Sequence, residues 1–232
     1  MNSKTEEFVR ELVLANKILA SEEVMDAFGH VSVRHPDRPD RFFLAAAKAP
    51  ELVESIDVME HDLDGAPIDP AGRHPYAERY IHSEIYRLRP DVNAICHHHN
   101  RSIMPFCISG SPLLPVYQHG ALIGAQVPMW DSREEFGDTN LLVSNAEQGR
   151  SLARALGTGN CVLMRHHGAT VVGLDLRELV FRSVAMCQNA EFQYRALAIG
   201  LVAGLTKGES SLAAKVPQGV FNRAWDLWAN RI

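Results

Sequence analysis

The sequence predicts an α/β fold, and three features carry that prediction. Short apolar runs, partly β-branched, at 92–96, 161–164 and 169–172 read as buried strands. Longer stretches with apolar residues every three or four positions, at 75–88, 139–156 and 176–199, read as helices. The two kinds alternate along 232 residues, a length that suits one domain (1–232) with a substantial core and no staples.

In order, residues 5–27 place Phe8, Leu12, Ala15, Ile18 and Leu19 at helical spacing, with Ser3 as N-cap and Gly29 ending the region. His30 to Arg34 alternates as a strand should. A Pro- and Asp-rich turn at 35–40 joins it to a second strand at 41–47, giving a hairpin that Lys48-Ala49-Pro50 breaks. A short segment at 55–61 runs into the hairpin-type turn Asp62-Leu63-Asp64-Gly65. Pro75 opens the helix at 75–88, whose apolar stripe is Ala77, Ile81, Ile85 and Leu88; Glu78 and His82 share a neighbouring face at i, i+4. Arg89-Pro90-Asp91 leads directly into the next strand. A short helix is expected at 102–109, then an extended run at 112–117 reaching Gln118-His119-Gly120. A loop holding Asp131, Arg133 and Phe136 precedes the helix at 139–156, ended by Gly157. After the strand pair and the long helix, the tail beyond Pro217 forms a short amphipathic helix carrying Trp225 and Trp228.

The composition, 46% hydrophobic and 22% charged with net charge −5, gives no footing for nucleic acid or a polybasic membrane contact. Cys96, Cys107, Cys161 and Cys187 are dispersed in apolar segments with no CxxC pair, as in a reducing compartment. No signal-peptide core and no apolar run near ~20 residues occurs, so a cytoplasmic location is expected.

The chemistry concentrates at the ends of two strands. At Cys96-His97-His98-His99, strand alternation sends His97 and His99 to one face and His98 to the other. Two imidazoles so placed can bind one Zn, Mn, Fe or Co ion. A second buried strand ends in Arg165-His166-His167-Gly168, where the glycine lets backbone pass close to a neighbouring group. A third imidazole from this cluster would leave room for substrate or a carboxylate, as in catalytic sites. Glu78 is the expected fourth ligand or general base.

The combination of Gly-His-Val-Ser-Val-Arg at 29–34, Glu78, His97-x-His99 and His166-His167-Gly168 resembles the class II aldolase/adducin family over roughly residues 5–205. The resemblance implies a three-layer α/β/α domain around a mostly antiparallel sheet, and homotetramers with sites between subunits. It assigns a divalent metal, Mn or Zn favoured, to Glu78, His97, His99 and His167, and leaves His98 and His166 to supporting or packing roles. Sugar-phosphate aldolases of the family hold phosphate with small amide and hydroxyl donors. Here those places carry His30, the Ala47-Lys48 region and Tyr76-Ala77, which argues against a phosphorylated substrate.

The substituted pattern is similar to a decarboxylase branch acting on hydroxylated aromatic or pyridine dicarboxylates such as 3,4-dihydroxyphthalate. That likeness implies a metal chelating the ring hydroxyl and adjacent carboxylate. It names Glu78 or His119 as the acid that protonates the product carbon, His30, Lys48 and Arg101 as the groups that hold the second carboxylate, and Tyr117 as a further substrate contact. Trp225 and Trp228 are expected to pack at a subunit contact. An aldolase-type lyase of a non-phosphorylated hydroxy or keto acid, and a non-catalytic adducin-like scaffold, are the alternatives.

Overall fold

The computed structural model describes residues 3–232, Ser3 by its backbone alone, so the Ser3 cap lies outside the described side chains. Seven strands form one sheet: β1 (His30–Arg34), β2 (Arg41–Ala45), β3 (Val58–Asp62), β4 (Ala94–His98), β5 (Met129–Trp130), β6 (Cys161–Met164) and β7 (Gly168–Gly173). Their order is β3-β2-β1-β4-β7-β6-β5. Every pairing is antiparallel except β5 with β6. The mostly antiparallel sheet expected from the resemblance is what the chain forms.

Alternation along the strands divides the core in two. Val31, Val33, Ala94, Cys96, Leu163 and Val171 face a cluster with α1 (Ser3–Ser21), α6 (Leu176–Leu197) and α8 (Gln218–Ala229). Phe42, Leu44, Ile95, Val162 and Val172 face the other way, onto α2 (Arg79–Leu88) and α5 (Ala146–Leu156). Helices therefore cover both faces, giving three layers. Since Ile95 points to the α2–α5 side, His97 two residues later does too, and His98 goes with Cys96 to the opposite layer. The smaller helices are α3 (Met104–Ser109), α4 (Arg133–Phe136) and α7 (Lys207–Ala213).

Three expected helix bounds are corrected. The first helix ends at Ser21, because Glu23 turns left-handed at φ 57° and the amides of Val24 and Met25 fold back to Leu19 O. The second begins at Arg79 and not at Pro75. Ala46 and Pro75 form a β-bridge and Ala47 N–H donates to His74 O, so the chain before Glu78 extends the edge of β2. The helix expected at 139–156 begins at Ala146, where the Asn145 side chain accepts the Gln148 amide. Leu141 upstream sits at φ 69°, a conformation no helix tolerates.

The run at 112–117 forms no strand. Instead, two side chains of α6 replace a β-ladder. Asn189 accepts Val116 N–H and donates to Leu114 O, while Gln193 accepts Leu114 N–H and donates to Pro112 O. Trp225 is also corrected: it is buried with the α1–α6 cluster of its own chain, and Trp228 packs beside Phe181.

Candidate metal centre

Strand β4 delivers His97 and the residue just past its end is His99, the tight β6–β7 turn delivers His167, and Glu78 occupies the N-cap position of α2. One donor atom from each of these four side chains falls within 4.8 Å of all the others. His97 Nε2 lies 3.0 Å from His99 Nε2 and 3.7 Å from Glu78 Oε2; His167 Nε2 lies 3.5 Å from Glu78 Oε1. The His99 and His167 rings are near parallel at 8°, and His97 stands edge-on to both. Three nitrogens and a carboxylate oxygen are the donor set of an open catalytic site for a borderline divalent ion.

Protonation states suit that use. Burial, then the charges of His167, His99, His30 and His98, drives His97 well below the ordinary histidine value. Burial and His167 lower His99 as well. His97 Nδ1 lies 3.1 Å from Ala169 O, which fixes the proton there and frees Nε2 to coordinate. Burial alone would raise the Glu78 carboxyl. The hydrogen bond and charge of His167, the charge of His30 and the Val143 N–H at 3.0 Å outweigh it and hold Glu78 below its usual value. An ionised Glu78 suits a ligand or base, and runs against the expectation that it serves as the acid.

The close approach at the turn depends on Gly168. A Cβ there would lie 2.3 Å from His98 O and 2.9 Å from His99 Cδ2. Beside it His166 sits at φ 55° and is exposed, so the packing role expected of it is not found; the backbone, not the imidazole, is engaged, through N–H to Cys107 O. His98 is fully buried, its Nε2 without a partner among the described residues.

His99 separates two cavities. One, of about 310 Å³, is lined largely by small and apolar residues: Ala27, Gly29, Ala47, Ala49, Ala77 and Leu142. His30, Lys48, Tyr76 and Glu78 complete its wall, so all the places where the aldolases' phosphate donors were expected converge on one cavity. The other, of about 550 Å³, carries Arg101 together with Glu22, Glu23, Asp26, Glu51 and Glu191.

The remaining expected contacts divide accordingly. His30 faces His97 across the β1–β4 register and stacks obliquely on it and on Tyr76. Lys48 reaches the small cavity, but its ammonium is 2.7 Å from Asp57. Arg101 belongs to the larger cavity. Tyr117 donates to Gln188 on α6, and His119 packs its ring on Tyr117 and Phe181; neither lines either cavity within this chain.

Sequence reasoning missed a buried chain behind His30. His30 Nδ1 lies 2.6 Å from His82 Nε2, His82 Nδ1 lies 2.7 Å from Ser32 Oγ, and Ser32 Oγ lies 2.8 Å from Tyr86 OH. The signal was present, since His30 and Ser32 share a strand face and His82 and Tyr86 are i, i+4 on α2. It also missed Val143, whose role is carried by a backbone amide and has no side-chain signature.

The chain belongs to the class II aldolase/adducin family: residues 10–194 match the Class II Aldolase and Adducin N-terminal domain. It is 32% identical to the decarboxylase tropJ of Talaromyces stipitatus, over 97% of this chain and 93% of that protein. It is 27% identical to the 3,4-dihydroxyphthalate decarboxylase of Terrabacter sp., over 82% of each chain. In fold it superposes on the L-fuculose 1-phosphate aldolase of Glaciozyma antarctica with a TM-score of 0.81 at 22% identity, covering 98% of this chain and 89% of the other. Relatives and fold thus support a lyase built around a candidate Glu/His metal site. Among the described residues no helix is long and apolar enough to cross a membrane.

Proposed function

We propose that this protein is a divalent-metal-dependent decarboxylase of a hydroxylated aromatic or heteroaromatic acid, working as a single domain in the cytoplasm. The observation that carries the reading is the pairing of a four-donor Glu/His cluster with a small apolar cavity that has replaced the phosphate cradle. Glu78, His97, His99 and His167 would hold the ion, with Mn or Zn favoured. When bound, it supplies Lewis acidity toward hydroxyl and carboxylate oxygens of the substrate.

The protein's own residues do the rest. The alanines and Leu142 offer an apolar surface to the flat face of a ring. His30, fixed through Nδ1 by His82, borders the ring with its other nitrogen. Glu78, ionised and anchored by Val143, remains a ligand. The proton for the carbon that loses CO2 is assigned to His119 of a neighbouring copy in a homotetramer; its partly exposed ring, remote from both cavities of its own chain, supports that assignment. The substituted phosphate-cradle positions argue against an aldolase acting on a sugar phosphate, and the complete donor set argues against a non-catalytic scaffold.

The test is CO2 release with product NMR, using protein loaded with Mn or Zn and hydroxy-aromatic acids, against a chelator control. Chelator-sensitive CO2 supports the proposal. An aldehyde from a hydroxy or keto acid, without CO2 from any aromatic acid, would replace it with the aldolase-type reading.

A further inference from the structure

We propose that the substrate carries a single carboxylate, and that the Lys48–Asp57 ion pair is the element that disfavours a second one. This deepens the decarboxylase reading and rests on it for the placement of the ring. Dicarboxylates are the obvious substrates by likeness to 3,4-dihydroxyphthalate decarboxylases, so the cavity's own charges decide the matter.

Lys48 is the one lysine or arginine among the described residues that line the 310 Å³ cavity. Its Nζ is 2.7 Å from Asp57 Oδ2, with the two side chains 35% and 18% exposed. Asp57 is not a casual partner. Its carboxylate also accepts the Glu54 N–H at 2.8 Å, capping the short 3-10 turn that leads into β3. Burial would raise its pKa, but the Lys48 hydrogen bond, the Glu54 amide, and the charges of Lys48 and Arg73 more than offset that and keep it ionised. The Lys48 backbone is fixed as well, its N–H and carbonyl both bonded to the Tyr76 hydroxyl. Apart from the His30 and His99 imidazoles, a second carboxylate on the ring would therefore face a lysine already paired with ionised Asp57, with Glu78 beside it. Two carboxylates near an added anion, against one committed ammonium, disfavour its binding.

The larger cavity offers no better refuge. Arg101 is exposed there among Glu22, Glu23, Asp26, Glu51 and Glu191, a surface that repels anions. What the small cavity accommodates next to a hydroxy-carboxylate is a neutral substituent: hydrogen, alkyl or an uncharged hydroxyl. The inferred class is thus an ortho-hydroxy aromatic monocarboxylate.

The experiment compares 2-hydroxybenzoate with 3-hydroxyphthalate, which adds one carboxylate to the same chelating pair. Equilibrium binding to the metal-loaded protein is measured by calorimetry, with CO2 release followed in parallel. The expected result is at least about tenfold tighter binding of the monocarboxylate. Asp57→Asn keeps an acceptor for the Glu54 amide but frees Lys48, so it should narrow the gap by about tenfold. Adding Lys48→Met to that variant should restore the gap. Wild-type protein binding the dicarboxylate equally or more tightly overturns the proposal, and this comparison decides even if the variants do not fold. So does an Asp57→Asn protein of native metal content whose preference is unmoved. Selective monocarboxylate binding, with an aldehyde from a hydroxy or keto acid and no CO2 from any aromatic acid, would defeat the decarboxylase reading and leave the charge inference standing; CO2 with a dicarboxylate preference would do the reverse.

Discussion

Replacing His97 by alanine takes away the donor whose tautomer is fixed by Ala169 O and which stands edge-on to both other imidazoles. Metal content per chain, measured on protein purified with added Mn or Zn, should fall from about one to near zero for His97→Ala and His167→Ala. Activity should drop by more than about a hundredfold, the level reached even by losing an outer partner of a ligand. A His97→Ala protein with full metal content would remove the site as drawn. His97 and His99 were legible in the sequence because strand alternation is rigid and their two-residue spacing decides the face without any tertiary information; which histidine of the 166–167 pair joins them came from the family resemblance. Lys48 was not legible in this way. Its type and position suggested a carboxylate clamp, but its state is set by Asp57, which only the approach of β3's entry turn to the end of β2 brings within reach. Glu78 was legible as a residue yet not in its protonation, because the Val143 amide that helps hold it ionised comes from a loop 65 residues away in sequence.

At the scale of elements, the run at 112–117 makes the sharpest prediction. Its amides and carbonyls are satisfied by Asn189 and Gln193 on α6 and not by a neighbouring strand. Asn189→Ala strands Val116 N–H and Leu114 O, at about 1–3 kcal/mol for each group left unpaired. Urea unfolding should register that loss, and amide exchange should quicken at Leu114 and Val116 while β4 stays protected. Equal exchange in both proteins would show that the side-chain ladder does not hold the segment. Gly120 belongs to the same arrangement, since a Cβ there would meet Asn189 Oδ1 at 2.0 Å. The extended conformation was readable from Pro112 and Pro115, whereas its partners were not: asparagine and glutamine inside a helix look like solvent-facing residues until the fold buries them. The helix bounds near Pro75 and Thr139 failed for a related reason. Apolar periodicity continues through both segments, but sheet pairing at Pro75 and the Glu78–Val143 contact impose extended or turning backbone there.

For the molecule as a whole, the alternation of apolar runs fixed the α/β class, while strand order and the one parallel pair depend on long-range pairing that periodicity does not encode. That pairing also creates a stability term invisible in composition. The β2–β3 pair and α2 bury His61 and His82 against Phe42, with ring centroids 5.2 Å and 6.4 Å from it. Burial lowers His61 to about 4; burial, then the like charge of His61, lowers His82 to about 3. Unfolded, both return to a value near 6.5, so between those limits the unfolded chain binds more protons and stability rises with pH. The contribution is complete above pH 6.5 and is lost as pH falls toward 4 and 3. From pH 7.5 to 5, each histidine should cost on the order of 2 kcal/mol, a large share of the roughly 5–15 kcal/mol that holds a domain together. Carboxylates titrate in the same range, so the variant His61→Leu isolates the effect. Leucine removes the titration and the unpartnered His61 Nε2 together. In urea unfolding with chelator present, wild type and His61→Leu should diverge by about 2 kcal/mol more at pH 5 than at pH 7.5, the variant being the more acid-resistant. A difference that does not change with pH would mean that His61 is already free to charge in the folded protein, and that the layer between the sheet and α2 admits water.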